Sequence, residues 1–156
     1  MAIASVTPNK AYQALSGLLL PKTTITSATL TTAGGARTST IAELLGGILV
    51  LNVDDAQTLN LPTGALLNAG LRPYGVEVGM SFEVLIINVG DTTLTVSVGT
   101  GGSLVVGNSK SSVATVVSNA SKRLLIRVTG VKTDLDPTSS DTYTVYTDGS
   151  TAASVA

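Results

Sequence analysis

The chain has 156 residues, of which 44% are hydrophobic and only 12% are charged, and its formal net charge is −1. Soluble domains average about a quarter charged residues, so uncharged polar and apolar side chains must form much of this surface, which favours association with partners. The near-neutral charge argues against sequence-independent binding to DNA or RNA, which needs several Lys or Arg contacts to phosphate. Cys and His are absent, which removes disulfides, thiolate metal sites and the commonest acid–base side chain.

Residues 1–22 lack the alternation of a strand, and the apolar run that Pro21 ends is too short to span a bilayer. We interpret this segment as an extended arm. Its apolar side chains would be exposed if the arm lay free in water, so we expect it to dock on its own domain or on a neighbouring chain. The predicted partner-interface residues are Ile3, Val6, Tyr12, Leu15, Leu18, Leu19 and Leu20.

The next part of the chain predicts short strands and two short helices. Thr-rich alternation over Thr23–Thr32 predicts an exposed edge strand. Thr40 and Glu43 have the spacing of a capping box, which predicts a short helix that ends at Gly46–Gly47. The other elements predicted here are a buried strand over Ile48–Val53, a strand over Gln57–Leu61 and a second short helix over Thr63–Gly70.

The strongest strand signal lies between Met80 and Val98. In MSFEVLIINVG, apolar residues fall on both faces, which requires cover on both sides. Gly90–Asp91 fits the two-residue turn of a hairpin, so the flanking strands are predicted to pair with each other. Later strands are predicted over Leu104–Val106, Val113–Val117, Lys122–Val128 and Asp141–Thr147, and in the third of these Leu124, Ile126 and Val128 face opposite to Arg123, Leu125 and Arg127.

Short, evenly spaced strands with helices only as connectors predict a mainly β fold. We expect an antiparallel β-sandwich, jelly-roll-like, with one or two short helices and the extended N-terminal arm. The predicted organisation is an arm over 1–22, a β-sandwich domain over 23–148 and a C-terminal tail over 149–156.

Nothing in the sequence predicts catalysis. Asp54–Asp55 follows a buried strand and is interpreted as a solvated turn. Glu83 interrupts an apolar strand, and we expect it to form an ion pair with Arg123 or Arg127 on a neighbouring strand. The protein is therefore predicted not to be an enzyme and to hold no cofactor.

One loop gathers the carboxylates of Asp134, Asp136 and Asp141, which are the oxygen ligands that calcium prefers. Their spacing does not match an EF-hand, which needs Gly at the sixth position and Glu at the twelfth. The favoured interpretation is a solvated loop, and a weak calcium site is the alternative.

The chain resembles small head proteins of tailed phages, especially cyanophages, of the cement or decoration type. The segments that carry the resemblance span residues 42–147 and are AELLGGILVLNVDDAQTLNLPTGALL, VGMSFEVLIINVGDTTLTVSVGTGGSLVVGN, RLLIRVTGV and DTYTVYT. The resemblance implies a β-sandwich that forms a homotrimer on the outer surface of the virion capsid. Its partner would be the major capsid protein, between whose subunits it binds to stabilise the head, without contact to nucleic acid or membrane.

Two other functions stay open. One is a receptor- or glycan-binding β-sandwich module of a phage spike or fibre, since such folds often carry binding sites on their loops. The other is a coat subunit that itself forms a shell, although the chain is short for that role.

Overall fold

The computed structural model describes residues 24–30, 35–111, 113–133 and 138–148. The helices are α1 (Ile41–Leu45) and α2 (Gly64–Leu71), followed by a 3-10 turn at Arg72–Tyr74. The strands are β1 (Thr24–Leu30), β2 (Ala36–Thr38), β3 (Gly47–Val53), β4 (Gln57–Asn60), β5 (Ser81–Asn88), β6 (Leu94–Ser97), β7 (Gly102–Val106), β8 (Ser109–Ser111), β9 (Val113–Val116), β10 (Ala120–Gly130) and β11 (Thr142–Thr147).

These strands form two sheets around one hydrophobic core. The seven-stranded sheet has the order β1-β3-β5-β10-β11-β7-β8, and the four-stranded sheet has the order β2-β4-β6-β9. The predicted mainly β, sandwich-like fold with two short helices is therefore confirmed. The edge position predicted for the first strand is also correct, because β1 pairs with β3 alone among the described strands.

Fewer of the strand pairs are antiparallel than the sequence predicts. Five of the nine pairings between described strands are parallel, among them β1 with β3, β3 with β5, β2 with β4 and β4 with β6. From β1 to β6 the chain crosses to the other sheet after every strand, so it returns to each sheet in the same direction. Alternation of apolar residues defines the faces of a strand but is the same for parallel and antiparallel neighbours.

The hairpin predicted at Gly90–Asp91 is wrong, because β5 and β6 lie in different sheets. Asn88 is fully buried where the chain crosses over; its Nδ2 donates to the carbonyl oxygen of Thr92 at 2.7 Å, and its Oδ1 accepts from the Gly90 amide at 3.0 Å. A Cβ on Gly90 would lie 2.1 Å from the Val53 nitrogen. Glycine is needed here for close backbone approach and not for a hairpin turn.

The core is almost entirely aliphatic. The face of β10 that is expected to point into the core does so, since Leu124, Ile126 and Val128 have no exposed surface. The same side of the seven-stranded sheet contributes Leu49, Leu51, Val53, Val84, Ile86, Leu104, Tyr143 and Val145, and the four-stranded sheet contributes Leu59, Leu94, Val96, Ala114 and Val116.

Helix α1 begins with the cap that the sequence predicts. At α1, the Thr40 side chain accepts from the Glu43 amide at 3.3 Å, and Glu43 Oε2 accepts from the Thr40 amide at 2.8 Å, which confirms the capping box. Arg37 on β2 donates a hydrogen bond to the same carboxylate. Helix α1 ends at Leu45, and Gly47, with φ of +83°, starts β3 in the left-handed region that favours glycine.

Candidate interaction surface

A single row of side chains crosses five strands on the outer face of the seven-stranded sheet. In register, Glu83 on β5 pairs with Leu125 on β10, and Leu125 pairs with Tyr146 on β11. Tyr146 pairs with Val105 on β7, and Val105 pairs with Lys110 on β8. Residues that lie opposite each other in a ladder share a face, so all five side chains point away from the core. We call this set the outer row.

The centre of the outer row is apolar and accessible to solvent. Leu125 and Tyr146 are each 37% exposed. Toward β3, the same face continues with half-buried aliphatic side chains that lie in register, Ile48 with Leu85 and Val50 with Ile87. A solvated sheet face normally carries polar residues. We call the apolar side chains of this face the apolar band; they are Ile48, Val50, Leu85, Ile87, Val105, Leu125 and Tyr146.

Charged side chains border the apolar band. Glu83 Oε2 lies 3.8 Å from Arg123 Nε, so the predicted ion pair forms with Arg123. Both side chains are more than half exposed, and a pair of this kind contributes at most about 1 kcal/mol to folding. An open depression of about 430 Å³ lies beside the pair, and its lining includes Glu83, Asn108, Arg123, Tyr146 and Asp148.

The outer face of the four-stranded sheet has a different chemistry. Thr58, Thr95 and Thr115 lie in one register row across β4, β6 and β9. In the next row Asn60 pairs with Ser97, whose hydroxyl donates to the Asn60 amide oxygen. These side chains are half-buried, polar and uncharged. This face therefore carries part of the uncharged polar surface that the composition predicts, with Val113 exposed on its edge strand β9, and the apolar band carries part of the predicted apolar surface.

Among the described residues, three ionisable groups have clearly shifted pKa values, and each shift has a structural cause. Burial raises the pKa of Tyr143 to about 12. Burial acts to raise the pKa of Glu43, but hydrogen bonds from the Thr40 amide and from Arg37 more than offset it and lower that pKa. Hydrogen bonds to the Asp141 carboxylate, from the Lys132 amide at 2.9 Å and Asn68 Nδ2 at 2.8 Å, lower its pKa. At neutral pH these shifts keep both carboxylates ionised and the phenol neutral.

The proposed calcium ligands are only partly described. Asp134 and Asp136 lie outside the described residues, while Asp141 Oδ1 is engaged with Asn68 and the Lys132 amide. Across residues 24–30, 35–111, 113–133 and 138–148, no group of three or more acidic, His or Cys side chains is placed to hold a metal ion. In the same ranges no helix has the length and apolar character needed to cross a membrane.

The interface residues predicted in the arm, Ile3, Val6, Tyr12, Leu15, Leu18, Leu19 and Leu20, lie outside the described residues, and their role stays a prediction. The sequence analysis does not predict the apolar band, although the sequence contains the apolar residues on outward faces that form it. The alternation places Leu125 on the outward face of its strand between Arg123 and Arg127, and the apolar residues on both faces of β5 predict cover on both sides. Within the described residues, that cover is present only on the core side.

Comparison of the chain with protein-family models, with curated protein sequences and with solved structures gives no match. The fold and the two sheet faces are therefore the structural observations from which a function is proposed.

Proposed function

We propose that this protein is a structural, non-enzymatic virion protein that acts as a capsid cement or decoration protein. It binds between major capsid subunits on the outer surface of the head and stabilises the shell. The observation that carries the proposal is the apolar band, exposed at Leu125 and Tyr146, on a chain with only 12% charged residues. The resemblance to small phage head proteins supports a phage head as the assembly.

The physical basis of cementing is the burial of neutral surface between neighbouring subunits. Apolar area removed from water contributes about 25 cal/mol per Å², so a few hundred Å² contributes several kcal/mol before the costs of association. The same contact is repeated at every copy on the shell. Neutral contacts are also little affected by salt, because screening weakens only interactions between charges.

The resemblance further implies that three copies associate on the shell, so we propose a homotrimer at the three-fold and quasi-three-fold positions. The arm, residues 1–22, then contacts an adjacent subunit through its apolar side chains. Neither contact needs a cofactor, nucleic acid or a membrane. The stoichiometry on the shell is testable by a reconstruction of decorated particles.

The decisive experiment mixes the purified full-length chain with shells assembled from the major capsid protein of the same phage. We expect saturable co-sedimentation and a higher melting temperature of the decorated shell. Bovine serum albumin at the same concentration serves as the control for trapping. Absence of binding at concentrations of tens of micromolar, with the chain folded by circular dichroism, would rule out the cement role.

A second candidate function is favoured by the depression beside Tyr146. The depression is lined by the exposed Tyr146 together with Asn108 and Asp148, and aromatic and polar side chains of this kind can hold a sugar. This arrangement supports the alternative of a receptor- or glycan-binding module of a spike or fibre. A glycan array that shows tight binding, lost in Tyr146→Ala, would favour this function over cementing.

A further inference from the structure

The outer row is symmetric in residue class about its middle residue, except that the two end residues carry charges of opposite sign. From β5 to β8 it runs Glu83, Leu125, Tyr146, Val105, Lys110, that is, an acid, an aliphatic residue, an aromatic residue, an aliphatic residue and a base. Tyr146 on β11 is the midpoint, with two strands on each side. Neighbouring strands are about 4.8 Å apart, so each end charge lies about 10 Å from the β11 axis.

We infer that, when the chain is free of a shell, the outer face of the seven-stranded sheet binds a second copy of this chain, related by a two-fold axis that runs along β11 at Tyr146, and that binding to a shell replaces this contact. Such an axis lies between the two faces and reverses the outer row of one copy relative to the other. Glu83 then lies opposite Lys110 of the second copy, and this pair occurs twice. Leu125 lies opposite Val105 of the second copy, and the two Tyr146 rings meet at the axis.

The neighbouring rows fit the same arrangement. Below the outer row, Ser81, Arg127, Thr144 and Ser103 pair in register across β5, β10, β11 and β7. The axis places Arg127 opposite Ser103 of the second copy, where no like charge opposes it. Above the outer row, Arg123 on β10 and Asp148, which directly follows β11, both line the depression described above. Arg123 also pairs with Glu83 of its own chain, so its charge is balanced within each copy.

Charge complementarity is the reason for choosing a second copy as the occupant. A two-fold contact is self-complementary: a charge on one side of the axis must face its opposite on the other side. The outer row meets this condition with single charges of opposite sign at equal distances from β11, and apolar residues fill the space between them. Two sheets pack face to face about 10 Å apart, which is enough for Leu125, Val105 and Tyr146 to interdigitate.

The test is a charge exchange followed by sedimentation velocity over a range of concentrations. We expect the unaltered chain to sediment at twice its mass of 15.7 kDa. Glu83→Lys and Lys110→Glu, each alone, place like charges opposite each other twice, and each is expected to raise the dissociation constant about tenfold or more. The double exchange restores opposite charges and is expected to return the constant to within about threefold of the starting value.

The control is Asp55→Lys, which makes the same charge reversal at an exposed bend after β3, away from this face. It should leave the dissociation constant unchanged. All three positions are exposed, so the substitutions should not disturb the fold, and circular dichroism of every variant checks this.

The inference is overturned if the chain is a monomer at 100 µM, which would leave the face to the arm or to coat protein. It is also overturned by a stable trimer, or by a double exchange that fails to restore association. A stable trimer would overturn the two-fold contact and support the homotrimer of the proposed function, while capsid binding itself is decided separately by the decoration of shells. Conversely, a dimer that does not bind shells would rule out the cement role and would still support the two-fold contact.

Discussion

The hydroxyl of Tyr143 on β11 donates a hydrogen bond of 2.7 Å to the carbonyl oxygen of Pro62, a residue 81 positions earlier in the chain. The hydroxyl oxygen of Tyr143 in turn accepts from the Gly99 amide at 3.2 Å. Pro62 follows β4 and Gly99 follows β6. The phenol therefore joins β11 of the seven-stranded sheet to the ends of two strands of the four-stranded sheet. Tyr143 is only 1% exposed, which makes these two backbone groups dependent on it.

Tyr143→Phe is expected to lower the free energy of unfolding by about 1–2 kcal/mol at pH 7, because it leaves buried backbone groups without a partner. Urea unfolding measures the change. Tyr146→Phe is the matched control, since Tyr146 is exposed and should lose little. Equal losses in the two variants would contradict the role assigned to the buried hydroxyl.

The same residue predicts how stability depends on alkaline pH. The pKa of Tyr143 is about 12 in the folded chain and about 10 when unfolded, so the folded state holds its proton more tightly. Its contribution is complete below pH 10 and is lost as pH rises through 12. Between pH 9 and 12 the unaltered chain should therefore lose more stability than Tyr143→Phe. Parallel curves for the two proteins, measured by urea unfolding, would disprove this linkage.

Gly90→Ala is expected to be severely destabilising, by about 3 kcal/mol or more, because the new Cβ would meet the Val53 backbone and backbone cannot rotate away. Gly47→Ala is the control. That glycine has φ of +83° but open space around it, so only the conformational cost of about 1–2 kcal/mol applies. Thermal and urea unfolding compare the two, and a smaller loss at position 90 than at position 47 would refute the steric argument.

Asp141 predicts an acid-sensitive contact. The hydrogen bonds from Lys132 and Asn68 lower the pKa of this carboxyl group, so its contribution is present above about pH 4 and is lost as pH falls further. Asp141→Asn should lower the unfolding midpoint at pH 7, by less than Tyr143→Phe does, and should weaken the acid dependence below pH 4. Asp55→Asn, at an exposed bend, is the control. An unchanged acid transition in Asp141→Asn would count against the contact.

The sequence predicts individual helices and strands better than it predicts which elements pack or pair with each other. The capping box of Thr40 and Glu43 and the inward face of β10 depend on local spacing, and both are confirmed. The Gly90 crossover could not be predicted in this way, because it depends on Val53 and on Val116, whose carbonyl oxygen accepts from Asn88 at 3.1 Å. Both lie far from Gly90 in the chain.

The same limit applies to the candidate surface. Alternation places Leu125 and Tyr146 on outward faces, but their proximity follows from the pairing of β10 with β11 and of β11 with β7. Apolar residues on separate strands become an apolar band only when the strand order is known. Charge composition predicted that a neutral surface exists, and the register shows where part of it lies.

The arm carries the last prediction, which concerns capsid binding. Changing Leu18, Leu19 and Leu20 to Ser in the full-length chain should reduce occupancy of shells at least tenfold, because the arm would lose much of the apolar area that it can bury. Removing residues 1–22 should abolish occupancy, with the circular dichroism spectrum of the sandwich unchanged. Ser5, Thr7 and Ser16 changed to Ala is the matched control and should bind normally. Full occupancy after removal of the arm would show that capsid contact is made by the sandwich alone.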